Sequence, residues 1–132
     1  MELFIKICGI TNLEDARSAV SYGANALGFM MYEKSPRKIA KEEVLEIIKE
    51  LPEEVIPVMV FVNPTSIYVE SCLEVSSRLI PQFHGNETPE FCSSFGRDFL
   101  KAMRVSGKED LRTIFESYSK AWMLLLDSYQ KN

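Results

Sequence analysis

Cys8 ends a short apolar run two residues after Lys6, so in an extended segment the thiol and the ammonium project to the same side. A cation placed there favours the thiolate, the form of cysteine that can accept a proton. Asp127 ends a second run, His84 follows a third with Gln82 two residues before it, and Asn63 and Arg104 lie at or near the ends of two others. The segment Lys34-Ser35-Pro36-Arg37-Lys38 reads as a rigid cationic clamp, in which Pro36 fixes the backbone and the Arg37 guanidinium grips a carboxylate at two points. Each group also has a plainer reading. A cysteine in an apolar strand is commonly a small core residue, and an aspartate after a strand caps a turn. His84-Gly85-Asn86-Glu87 suits a loop that needs backbone freedom, and Lys34 to Lys38 suits a solvated one. What favours a site is asymmetry: Cys8, Asn63, His84, Arg104 and Asp127 gather at the ends of runs whose beginnings are mostly plain.

The elements that must carry these groups are visible as changes of period. Runs rich in β-branched and aromatic residues cover Leu3 to Cys8, Ala26 to Met31, Val55 to Val62, Leu79 to Phe83, Phe99 to Val105 and Ala121 to Leu126. Between them lie helical patterns: Asn12 as N-cap before Leu13, Ala16, Ala19 and Val20, with Gly23 as C-cap, then Val44, Ile47, Ile48 and Leu51, closed by Pro52. Strand starts recur roughly every 20 to 30 residues, which suits stacked βα units and leaves no room for hairpins. Pro57 and Pro81 remove ladder donors, but both lie early in their runs.

If the sheet curves into a barrel, ligand chemistry belongs at the carboxyl ends of the strands. Cys8, Lys6 and Phe4 then face inward, while Ile5 and Ile7 face the helices. Phe83 and Trp122 are expected between strand and helix, and Cys72 and Cys92 as packing residues in helical segments. An open, flavodoxin-like sheet is the alternative architecture; it would hold Cys8 and Asp127 far apart.

Composition bounds the rest. With 132 residues, 46% hydrophobic and 26% charged, and no linker or low-complexity tract, the expectation is a single domain over residues 1–132. A net charge of −4 without a basic stripe argues against nucleic acid as a partner. No apolar run is long enough for a bilayer and Met1-Glu2-Leu3 lacks a cationic leader, so no membrane partner and a cytoplasmic location are expected. Three cysteines without CxxC spacing point to reduced thiols, and His84, the only histidine, leaves a structural zinc site without a ligand set.

Seven blocks carry a resemblance. They are Lys6-Ile7-Cys8-Gly9-Ile10-Thr11-Asn12, Gly23-Ala24-Asn25-Ala26-Leu27-Gly28-Phe29, Lys34-Ser35-Pro36-Arg37, Val60-Phe61-Val62-Asn63, Gln82-Phe83-His84-Gly85-Asn86-Glu87, Lys101-Ala102-Met103-Arg104-Val105 and Leu124-Leu125-Leu126-Asp127. In this order and spacing the chain resembles phosphoribosylanthranilate isomerase, a (β/α)₈-barrel enzyme of tryptophan biosynthesis. Met59 and Phe83 stand where the family generally has glycine and leucine. The resemblance implies an α/β fold of TIM-barrel type, incomplete at six strands and lacking the last two βα units. It implies an Amadori rearrangement of a phosphosugar, N-(5-phosphoribosyl)anthranilate, with no metal or organic cofactor.

By that likeness Asp127 is the general acid that opens the sugar ring and Cys8 the general base at C2. Arg37 holds the anthranilate carboxylate, and His84, Gln82 and Lys6 line the pocket. The family's glycine-rich loop and phosphate cradle are expected after Asp127, where this chain has only Ser128 to Asn132. A full barrel needs about 200 residues or more. The expectation is therefore a marginal monomer with open edges and little activity, or a noncatalytic half-barrel that associates with itself or with a complementary chain.

Overall fold

Strand and helix alternate because the apolar period switches between two and about 3.6 along the chain. The computed structural model describes residues 2–128. Its elements are β1 (Lys6–Cys8), α1 (Leu13–Ser21), β2 (Ala26–Met30), α2 (Lys41–Ile48), β3 (Ile56–Phe61), α3 (Ser66–Leu73), β4 (Ile80–Phe83), α4 (Pro89–Ser93), β5 (Leu100–Val105), α5 (Leu111–Ser117) and β6 (Met123–Ser128). Asn12 caps α1 as expected, its Oδ1 accepting from Asp15 N at 2.8 Å, and Gly23 follows the helix at φ +101°. Thr65, Thr88 and Asp110 cap α3, α4 and α5 in the same manner.

The six strands form one sheet in the order β1-β2-β3-β4-β5-β6, every pair parallel. That order differs from the doubly wound alternative, whose strand order reverses at a switch point. Curvature settles the architecture. In a flat sheet, five spacings of about 4.8 Å would hold β1 and β6 about 24 Å apart. Yet Phe4, just before β1, meets Trp122, just before β6, edge to face with ring centroids 5.8 Å apart. The sheet therefore curls until its first and last strands approach, as a partial barrel does.

Alternation along the strands separates two apolar layers. Facing inward, Ala26, Val58, Val60 and Leu100 are buried, with Cys8, Met30 and Leu125 packed against them. Facing outward, Leu27, Phe29, Met59, Phe61 and Phe83 join Val44, Ile47, Val69 and Cys72 of the helices in a larger core. Phe83 lies in its densest part, ringed by Phe61, Phe91, Phe95 and Phe99 at centroid distances of 5.7–6.3 Å. Cys72 and Cys92 are buried helical packing residues, as expected. Pro57 and Pro81 take the second position of their strands.

Three expectations need correction. Strand β1 begins at Lys6 and not at Leu3, because its partner β2 begins at Ala26 and the register pairs those two residues. Before that point Ile5 is held by Asn25, whose Oδ1 accepts from Ile5 N at 2.8 Å. Ile7 pairs with outward-facing Leu27 but is 41% exposed, and Ile5 is 36% exposed, because β1 is an edge strand paired on one side only. Trp122 is not at the strand–helix interface: it is 39% exposed and packs on Phe4 across the open side of the sheet.

Replacing Phe83 with alanine should lower the unfolding free energy by about 3–5 kcal/mol, the usual range for emptying a buried phenylalanine site. A denaturant titration checks this, and a loss below about 1 kcal/mol would show that the aromatic cluster does not hold the outer layer.

Candidate active site

The rim is built strand by strand. Gln82 is the third residue of β4 and shares the inward parity with Val60 and Leu100, its register partners. His84 directly follows β4, its backbone N donating to Phe61 O at 2.8 Å, so its imidazole continues the inward row past the apolar layer. Asp127 lies within β6 beside Arg104 of β5. Curvature then brings β4 and β6 side chains together: Gln82 Nε2 is 3.1 Å from His84 Nδ1, and His84 Nε2 is 3.4 Å from Asp127 Oδ2. With the Gln82 amide donating to Nδ1, the imidazole keeps its proton on Nε2 and presents it to the carboxylate. The other end of the amide, Gln82 Oε1, is buried without a partner among the described residues.

A second group forms around Cys8. The loop after β2 folds back so that Lys38 bridges Met30, and Ile39 N donates to Met30 O at 3.1 Å. This return carries the exposed Arg37 over the end of β1, where Nη1 donates to Cys8 O at 3.1 Å. Gly9 makes that approach possible: at φ +88° it adopts a conformation side chains resist, and a Cβ on it would overlap the guanidinium. The thiol, half-buried, points at Met30 with Sγ to Sδ 3.7 Å. Gly28 provides its space, since a Cβ there would lie 2.8 Å from Cys8 Sγ. Lys6 shares the parity of Cys8, but its side chain makes no hydrogen bond or ion pair among the described residues, and neither does that of Arg104.

The contacts thus join Gln82, His84 and Asp127 in one group and Cys8 with Arg37 in another. Asn63 belongs to neither and shapes the loop. It sits at φ +47°, with its Oδ1 accepting from Asn86 N at 2.7 Å. Sequence reasoning missed Gly9 and Gly28 as makers of space, and missed a buried ion pair between Lys101 and Glu87. Parity could have found Lys101, which lies two residues from Phe99 on the helix side of β5, where a charge demands a partner. Among the described residues no three His, Cys, Asp or Glu side chains converge as a metal-ligand group.

A sequentially ordered parallel sheet that curls on itself, with polar side chains gathered at the carboxyl ends of its strands, defines a partial (β/α)-barrel with a candidate site at its rim. Comparison with known proteins gives the family. The family model described as N-(5'phosphoribosyl)anthranilate (PRA) isomerase matches residues 5–131. The N-(5'-phosphoribosyl)anthranilate isomerase of Marinomonas sp. is 44% identical over 130 residues, covering 98% of this chain and 63% of its own. The crystal structure of the Thermotoga maritima phosphoribosyl anthranilate isomerase superposes with a TM-score of 0.89 at 36% identity, covering 99% of this chain and 64% of that one. Another solved isomerase, in complex with reduced 1-(o-carboxyphenylamino)-1-deoxyribulose 5-phosphate, gives 0.88 at 37% identity over 98% of this chain and 66% of that one. The chain belongs to the phosphoribosylanthranilate isomerase family. It spans about 63% of the length of the curated relatives it matches.

Gly28→Ala should destabilise the fold by about 1–3 kcal/mol through overpacking, and by less in a Cys8→Ala background. Equal losses in both backgrounds, in a double-mutant cycle of unfolding midpoints, would show that the two residues do not share this space.

Thiol reactivity makes a separate test. Burial raises the Cys72 and Cys92 thiols, the latter to about 12, so both stay protonated and inert. Near about pH 8, iodoacetamide should alkylate Cys8 first and reach the other two only on unfolding. Mass mapping reads the order.

Proposed function

We propose that this chain supplies the proton-transfer rim of an N-(5'-phosphoribosyl)anthranilate isomerase and forms one partial barrel domain. The observation that carries this reading is the convergence of His84 after β4 on Asp127 in β6, in a fold that superposes on solved isomerases. The substrate is N-(5-phosphoribosyl)anthranilate. Asp127, as general acid, gives a proton to the furanose ring oxygen while the anilino nitrogen lone pair forms a C1=N bond and the ring C–O bond breaks. Cys8, as general base, then takes the proton from C2, and the resulting enolamine becomes the ketone of 1-(2-carboxyphenylamino)-1-deoxyribulose 5-phosphate.

The acid has to carry a proton, and the neighbouring side chains govern that. Where that proton sits on Oδ2, the oxygen facing His84, its acceptor is a bare Nε2 on an imidazole with its proton on Nδ1. That tautomer needs the Gln82 amide turned so that Oε1, now buried and unpaired, accepts from Nδ1. Gln82 thus links the tautomer of His84 to the proton on Asp127. Arg37 spends one N–H on Cys8 O and keeps donors free for the anthranilate carboxylate. Lys6, on the inner row below Cys8, adds positive potential toward the substrate. None of these steps calls for a metal or organic cofactor.

Barrel enzymes commonly hold phosphate in the loops after strands seven and eight. The six strands here carry the chemistry, and the phosphate grip belongs to the further third that the curated relatives possess. Remote phosphate binding lowers the barrier as well as KM. As an isolated polypeptide, the 132 residues should therefore turn over poorly. The exposed apolar residues Leu3 and Ile5 before β1, Ile7 within it and Leu126 on β6 are a flank for further strands, or for a second copy of the chain, to cover. A soluble, cytoplasmic setting is part of the same reading; among the described residues no helix is long and apolar enough to cross a membrane.

The test joins this chain to the C-terminal third of the Marinomonas relative and follows substrate fluorescence. Activity is expected, with Cys8→Ala and Asp127→Asn each lowering kcat by about 10²-fold or more. An active fusion indifferent to Asp127→Asn would refute the assigned acid.

A further inference from the structure

Lys101 and Glu87 take no part in the chemistry above, yet they are among the most deeply buried polar groups of the chain. Each side chain is 2% exposed, and Nζ lies 3.2 Å from Oε1. Their remaining bonds go to main chain, mostly at or just past the ends of β3 and β4. Glu87 Oε2 accepts from Asn63 N at 2.8 Å, and Oε1 accepts from Gly85 N at 2.9 Å. Lys101 Nζ donates to Gly85 O at 2.7 Å and Ala102 O at 3.1 Å, with Phe83 O at 3.4 Å. Tyr118 closes the cluster: its ring lies 5.5 Å from the ammonium, and its hydroxyl donates to Glu87 O at 2.6 Å.

Stability alone is a weak reason for such a pair. Burying two charges carries a large desolvation penalty, and apolar residues of similar volume commonly hold a core as well or better. What apolar residues cannot supply is directed hydrogen bonds, and here those bonds fix one residue in particular. Gly85, which directly follows His84, is held by its N–H and its C=O at once. His84 N is itself tied to Phe61 O. Gly85 also packs so tightly on the Asn63 turn that a Cβ on it would lie 2.5 Å from Asn63 Oδ1. Meanwhile the contact being positioned is long: at 3.4 Å, His84 Nε2 to Asp127 Oδ2 is near the limit for a hydrogen bond. A loop shift of well under an ångström decides whether it exists.

We infer that the Glu87 side chain, with Lys101 as its buried counter-ion, is a positioning device, set behind the rim in the helix layer, whose acceptor oxygens hold the His84 imidazole against Asp127. Its consequence for turnover rests on the isomerase reading; its geometry does not.

The test uses the fact that His84 is the only histidine, so the chain shows one set of imidazole signals in nitrogen-15 NMR. In the parent chain, Asp127→Asn should shift the His84 Nε2 signal. Two uncharged double variants are then compared. Lys101→Met with Glu87→Leu fills the space but leaves Asn63 and Gly85 without an acceptor; Lys101→Met with Glu87→Gln keeps an acceptor oxygen for both. In the first, the amides of Asn63 and Gly85 should exchange at least about tenfold faster, and the response of His84 to Asp127→Asn should vanish. The denaturation midpoint should be no lower than that of the second. The second should retain both slow exchange and response.

Identical behaviour of the two variants, or a preserved response in the first, overturns the proposal. If the first does not fold, loss of the response in the second overturns it and retention supports it. In the fusion assayed above, the first variant should lower kcat while leaving KM within about twofold. An inactive fusion would count against the isomerase reading and leave the NMR result standing.

Discussion

Curvature of the parallel sheet is the constraint on which everything else rests. Side chains on β4 and β6 stand about 9–10 Å apart on a flat sheet, too far for direct contact between an imidazole and a carboxylate of ordinary length and direction. Rolled into an arc, the same strands aim their inward side chains at a common axis, and His84 reaches Asp127. The arc is held from both sides. Outside, the large apolar core of helices and outward strand residues pushes the strands together; inside, small and branched residues such as Ala26, Val58 and Val60 allow the tighter spacing of the concave face. Phe4 on Trp122 spans the remaining gap at the amino end, so the strand beginnings are apolar in contact while the strand ends are polar.

Within that arc, space is allocated as carefully as charge. Gly28 opposes Cys8 across β1 and β2, and the missing side chain is where the thiol sits. Gly9 lets the exposed Arg37 guanidinium lie on the backbone beside Cys8. Both glycines are defined by a neighbour distant in sequence. This is why a Gly-rich stretch in the chain says little until the register is known.

Much of this was legible beforehand, and the limits have physical causes. The βα alternation, the cap at Asn12, the inward row of Cys8, His84 and Asp127, and the burial of Phe83, Cys72 and Cys92 all follow from periodicity, which is local. The start of β1, the exposure of Ile5 and Ile7 and the position of Trp122 depend on what lies beside an edge, which local pattern does not encode. Lys101 and Glu87 were visible as residues but not as a pair, because fourteen positions separate them and only the βα turn between β4 and β5 folds one onto the other. Arg104 shows the reverse case: its place near a strand end was readable, yet beside Asp127 it forms no ion pair among the described residues, since adjacency in a ladder fixes Cα atoms and not the ends of long side chains.

The division between layers also explains how a chain can carry strained or costly groups at its rim and still fold. Most apolar burial lies in the outer core around Phe29, Phe61 and Phe83, on the opposite side of the sheet from the thiol, the imidazole and the carboxylate. A change to an inward rim residue therefore removes little of the material that holds the strands together. Lys101 and Glu87 break that rule, because they sit in the stabilising layer and bond to the backbone of the functional one. Through them the packing of the helices is felt at His84, and a 3.4 Å contact between the end of β4 and β6 comes to depend on two side chains buried in the helix layer.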